Sequence, residues 1–245
     1  MGIFDKLTTE GMEEAQDVLG GGQQVPSGIY PAKVKLMYLG KSGQPGSEAQ
    51  SITIHADIGG TEFRETIWFT NRNGDNFYIP KDAKDGKVTK SPLPGFTTID
   101  DICLLGSGEG LVDQEAEEKV VKLYDFSEKK ELPKNVMVLT SMIGKEVKLG
   151  ILRQIVDKQK LNKDTKKYEN TGDTRTENTI SKVFHSETDM TVAEYRREAT
   201  EPEFMPAWKT KNDGKDINRA KGAKEGAGSS GSGRPGGTKK LSFGK

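Results

Sequence analysis

The chain has 245 residues, of which 32% are hydrophobic and 30% charged, and its formal net charge is zero. That apolar share is too small for a core running the full length, so one domain with appendages is expected. Neutrality argues against coating duplex DNA through bulk charge, although a basic groove or tail can still track phosphates.

Cys103 is the sole cysteine, which excludes a disulfide framework and a cysteine-based zinc cluster and fits a reducing cytoplasm. No basic leader followed by an apolar run opens the chain, and no window approaches about 18 apolar residues, so neither secretion nor a membrane span is expected.

Thr8 or Thr9 can cap a short helix in which Met12, Ala15, Val18 and Leu19 recur at helical spacing and which Gly20-Gly21-Gly22 ends. Residues 1–25 are therefore read as an arm. Strand alternation begins at Ile29 to Leu39 and recurs at Ser51 to Ile58, where Ile52, Ile54, Ala56 and Ile58 alternate with Ser51, Thr53, His55 and Asp57. Gly59-Gly60 turns the chain into Thr61 to Thr70, predicting a hairpin. Thr98 and Asp101 predict a helix over Thr98 to Leu105, closed by Gly106. Gly106 to Glu118 holds five acidic residues and no basic one, and reads as a solvated loop or short exposed helix.

Strand signals resume at Val120 to Phe126, Asn135 to Thr140 and Val147 to Val156, the last apolar on both faces as in a strand buried on two sides. The polar stretch Lys158 to Thr176 then separates it from the alternating Asn178 to His185, predicting a long hairpin with a basic tip. Thr191 and Glu194 form a capping-box pattern with Met190 as a hydrophobic staple, opening a helix through about Ala199 that Pro202 and Pro206 stop. After about Ala220 the chain turns Gly/Ser-rich, a composition that cannot bury enough apolar surface to fold. From Lys221 onward there are six basic residues and one acidic, so the body carries a net −5. Many strands with a small helix between them predict a mainly β chain: a single OB-fold-like antiparallel β-barrel over residues 26–210, with a flexible tail over 211–245. A sandwich is the alternative architecture.

Alternation in Thr61 to Thr70 puts Phe63, Glu65, Ile67 and Phe69 on one side and Arg64, Thr66, Trp68 and Thr70 on the other. If the phenylalanines and Ile67 face the core, Arg64 and Trp68 share the outer face, where an indole can stack on a base beside a guanidinium for phosphate. Arg72, Tyr78 and Lys81 continue this mixture of aromatic and basic residues, while Phe77 fits a core-filling role equally well. The hairpin tip offers Lys158, Lys160, Lys163, Lys166, Lys167, Tyr168 and Arg175 for phosphate contact, against the plain reading of a solvated loop.

Signals for catalysis are poor. Gly40-Lys41-Ser42 has a lysine where a phosphate loop needs its first glycine, and Gly106-Ser107-Gly108-Glu109-Gly110 follows a helix, unlike a dinucleotide loop or nucleophile elbow. His55 and His185 have no neighbours that mark a metal site or triad. Glu146, Lys148 and Asp125 form a remote magnesium-nuclease alternative. No metal or other cofactor is expected.

The opening Met1-Gly2-Ile3-Phe4-Asp5-Lys6-Leu7, the Pro94-Gly95-Phe96 before the helix, Ile143-Gly144-Lys145-Glu146-Val147, and the ending Leu241-Ser242-Phe243-Gly244-Lys245 carry a resemblance. The chain resembles the single-stranded DNA-binding proteins of tailed bacteriophages, especially those of lytic podoviruses that carry a virion RNA polymerase. The resemblance implies a protein of the host bacterial cytoplasm that coats single strands in replication and recombination and helps RNA polymerase at viral promoters. Where many counterparts end in an acidic tail, this one is basic, so competition of the tail with DNA is not expected. Carried over, Lys239, Lys240 and Lys245 contact an acidic surface on RNA polymerase or a replication protein, with Phe243 as apolar anchor. A polymerase-recruiting activator with weak DNA binding is the alternative function, and self-association is left open.

Overall fold

The computed structural model describes residues 24–80, 90–125, 128–162 and 168–221. The expected arm helix, Lys81, the tip lysines Lys163, Lys166 and Lys167, and the tail residues Lys239, Lys240, Phe243 and Lys245 lie outside them.

Period-two alternation becomes strand wherever one face can be buried. The first strands, β1 (Gly28–Lys41), β2 (Gln50–Ile58) and β3 (Thr61–Trp68), form an antiparallel meander turned at Gly59 and Gly60, whose φ of 66° and 85° suit glycine. Two short strands follow, β4 (Phe77–Tyr78) and β5 (Ser91–Pro92), which pair with each other, and then α1 (Pro94–Ser107). A hairpin of β6 (Ala116–Asp125) and β7 (Lys130–Leu139) leads to a second, longer hairpin, β8 (Glu146–Leu161) and β9 (Tyr168–His185). The chain then adds α2 (Val192–Arg196), α3 (Phe204–Asn212) and β10 (Asp216–Asn218).

β1 is long enough to serve two neighbours: residues 33–41 pair with β2 and residues 28–33 with β8. The resulting path runs β9-β8-β1-β2-β3, all antiparallel, with β10 parallel to β8. The end strands β3 and β9 meet through a side chain rather than a ladder. Glu65 accepts hydrogen bonds from Thr179 Oγ1 at 2.7 Å and from the Ile180 amide at 2.6 Å. The sheet therefore curls on itself without closing through backbone pairing among the described residues, a correction to the closed barrel expected from sequence.

The main core lies inside this curl, where α1 buries Ile99, Ile102 and Cys103 completely against residues such as Ile52, Ile54 and Leu149. Burial pushes the Cys103 thiol up to about 12, so it is an inert apolar filler. β8 is apolar on both faces because its other side meets a second cluster, in which Leu152 and Phe184 pack with Met205 and Trp208 of α3. Each buried aromatic of this kind contributes about 3 to 5 kcal/mol when judged by truncation to alanine.

Two helix readings need correcting. α1 starts at Pro94, four residues before the expected cap, because proline's fixed φ and missing N–H suit the first turn. Thr98 instead bonds the Pro94 carbonyl, and Asp101 is buried beside Lys182 at 3.2 Å. The Thr191–Glu194 capping box is present, but α2 ends at Arg196. Pro206 does not stop structure; it sits in the first turn of α3, where a missing N–H is harmless. Glu194 joins the two helices, its Oε1 accepting from the amides of Glu203 and Phe204, both at 2.7 Å. β10 lies within residues assigned to the tail from composition. No helix of the described residues is long and apolar enough to cross a membrane.

Candidate nucleic-acid interface

Strand register fixes which residues share the outer face of the meander. Leu36, His55 and Arg64 form one row, Tyr38, Thr53 and Thr66 the next, and Gly40, Ser51 and Trp68 the third. Arg64 and Trp68 thus share the outward face as alternation predicts, while Phe63 and Ile67 are buried inward. Phe69 is half-buried against the core. Trp68 keeps 49% of its surface exposed, a large apolar area for a strand that buries its other face. Its row is otherwise filled by small residues. A Cβ on Gly40 would come within 2.8 Å of Ser51 Oγ, so the two residues sit close together in this row.

The backbone of Trp68 is held from the opposite side. A Cβ on Gly95, in the first turn of α1, would collide with the Trp68 carbonyl oxygen, so only glycine lets α1 seat there. The exposed indole therefore stands on a strand anchored from below.

Arg64 lies 3.3 Å from Glu62, which also accepts from His55 Nδ1 at 3.2 Å. His55 is only 7% exposed although it lies on the outer face, with the Tyr38 ring packed beside it at a tilt, 5.8 Å between ring centroids. Burial and the Arg64 charge hold its imidazole below the usual range, and a donated Nδ1–H leaves Nε2 as a buried acceptor with no partner among the described residues. Alternation sets His55 with Ser51, Thr53 and Asp57 on the polar side of β2, but does not show what lies over it. That follows from the long-range pairing of β1 and β2.

Arg72 follows β3 in a turn organised by Asn71, whose side-chain oxygen accepts from the amides of Asn73 and Asp75 at 2.8 and 3.0 Å. The Arg72 carbonyl accepts from Glu48 at 2.8 Å, and its Nε contacts the Gly46 carbonyl at 3.4 Å. The guanidinium is thus fastened to the loop 42–49 at the Trp68 end of the face, exposed and without an ion pair among the described residues. Tyr78 is exposed on the separate β4–β5 ribbon rather than on the sheet that carries Trp68. Its neighbour Phe77 is half-buried, with Lys90 Nζ 4.0 Å above its ring.

At the opposite end, the β8–β9 hairpin extends past the sheet to a final pair of Leu161 and Tyr168. Lys158 and Lys160 are exposed and make no ion pair among the described residues, and Tyr168 is 63% exposed. Arg175 is held by Glu177 at 2.9 Å. The structure thus groups Arg64, Trp68 and Arg72 on or beside one face and sets Lys158, Lys160 and Tyr168 on an arm beyond it.

The residues of the nuclease alternative are each engaged elsewhere. Lys134 lies 2.8 Å from Asp125, Lys33 lies 3.9 Å from Glu146, and Lys148 binds Asp189. Among the described residues no three His, Cys, Asp or Glu side chains gather as a metal site.

No protein-family model, curated protein or solved structure matches the chain.

Proposed function

We propose that the protein binds single-stranded DNA with little sequence preference across the outer face of β1, β2 and β3. The observation that carries this reading is Trp68, half-exposed on a rigid strand between Arg64 and Arg72. An indole offers a stacking surface to any base, each stacked base contributing about 1 to 3 kcal/mol, while guanidinium and ammonium groups follow the phosphates. The strand order β9-β8-β1-β2-β3, a helix after β3, and the Glu65 bridge between β3 and β9 support an oligonucleotide-binding type of β-barrel. In such a barrel the loop 42–49 and the β8–β9 hairpin flank the groove, and Lys158, Lys160 and Tyr168 extend the path of the strand. With the phage resemblance, this binding serves viral replication and recombination, and the basic tail ending in Lys239, Lys240, Phe243 and Lys245 recruits RNA polymerase or a replication protein.

Fluorescence anisotropy of a labelled oligo-dT against a duplex of equal length, at two salt concentrations with magnesium present, tests the proposal. The single strand is preferred, and its affinity falls by about 0.7 log units per phosphate neutralised for each tenfold rise in salt. Equal or absent binding contradicts it, and conversion of the strand to fragments favours the nuclease alternative.

A further inference from the structure

The outer face of the meander carries a second aromatic ring besides Trp68. Met37 is sealed in the core, so Tyr38 points outward from β1, where it is half-buried. Its strand is paired on both sides at this residue, with Thr53 of β2 and with Val138 of β7. The ring leans on His55, whose Nδ1 is held by Glu62 at 3.2 Å. Tyr38 therefore has a fixed backbone and a fixed neighbour, as Trp68 has through Gly95. Its hydroxyl makes no hydrogen bond among the described residues, and it is not sealed from solvent.

Between the two rings the register places only small residues: Gly40 and Ser51 in the row of Trp68, Thr53 and Thr66 in the row of Tyr38. The Thr53 and Thr66 hydroxyls meet each other at 2.8 Å, so they are engaged within this floor. Tyr38 and Trp68 stand two strands and two residues apart, a separation of about 12 Å by strand spacing and rise. Clamping one base between two rings needs two stacking steps of about 3.4 Å each, or about 7 Å. The spacing is too wide for that. Each ring instead suits a base of its own, and bases so far apart are unstacked from each other, which a duplex does not allow. On the far side of Tyr38 the row continues through Val138 to Glu117, whose charge is paired with Lys119 at 2.9 Å.

We propose that Tyr38 is a second base-stacking platform, so that a single strand crosses the face diagonally from Trp68 on β3 to Tyr38 on β1. Arg64 stands about 12 to 13 Å from each ring by the same spacing, so a guanidinium borders the path. This path rests on the single-strand reading of the Trp68 face and adds a residue to it.

Photocross-linking of iododeoxyuridine-substituted oligo-dT to the full chain, mapped by peptide mass spectrometry, tests the path. Adducts form at both Trp68 and Tyr38. Tyr38→Leu keeps bulk beside His55 but has no ring, and it weakens oligo-dT binding at least about fivefold at an unchanged melting temperature. Tyr38→Phe keeps the ring and binds as the wild type does. Because the two rings are about 12 Å apart, the losses in Trp68→Ala and Tyr38→Leu multiply in the double variant. Cross-linking at Trp68 alone, or a folded Tyr38→Leu that binds as the wild type does, overturns the Tyr38 platform and leaves the Trp68 face standing. A wild-type chain that neither binds nor cross-links to oligo-dT overturns the single-strand reading itself. Cross-linking to the wild type decides the matter even if Tyr38→Leu fails to fold.

Discussion

On the inner side of β3, Phe63 and Ile67 are sealed in the core and Glu65 is clamped to β9. On its outer side, one residue along in each case, Arg64 and Trp68 are exposed and the Thr66 hydroxyl meets the Thr53 hydroxyl at 2.8 Å. The same eight residues thus divide stability from recognition. An inner change alters the protein's folding, whereas an outer change alters what it can hold.

Truncating the inner side has the largest expected effect. Phe63→Ala removes a buried ring from the main core and lowers unfolding free energy by about 3 to 5 kcal/mol, read from urea denaturation. An exposed-face truncation with a loss of that size would break the comparison.

Glu65 sharpens it through pH. Burial pushes this carboxyl from 4.5 up to about 7, against the opposing pull of hydrogen bonds from Thr179 and Ile180. The folded protein keeps a proton that the unfolded chain has released, so the contribution is complete below pH 4.5 and is lost as pH rises through 7. Stability falls by roughly 3 kcal/mol across that window, and Glu65→Gln flattens the profile. A slope unchanged by that substitution would show that the β3–β9 clamp does not titrate as described.

The hairpin lysines should give the smallest effect. Lys158→Gln with Lys160→Gln leaves stability within about 0.5 kcal/mol, since neither ammonium has an ion pair among the described residues. The same change lowers the salt slope of single-strand binding by about 1 to 2. An unchanged slope would remove this arm from the DNA path.

Much of this division was legible in the sequence because a strand has a period of two. Reading Arg64 against Phe63 required no partner, and neither did the capping box at Thr191 and Glu194. Features set by distant pairing were not legible. His55 lies under Tyr38 because β1 pairs with β2, and Glu65 holds β9, 114 residues away along the chain. Local signals also misled where one residue type serves two ends. Pro206 reads as a helix stop, yet it occupies the first turn of α3. The acidic stretch before β6 hid the strand that starts at Ala116, because charge masked its alternation.

The most direct test of the account is the affinity of Trp68→Ala for oligo-dT, measured beside its melting temperature. The account predicts binding weaker by at least about fivefold, the loss of one stacked base, in a protein that melts as the wild type does. Unchanged affinity in that folded variant would contradict a stacking face on β3.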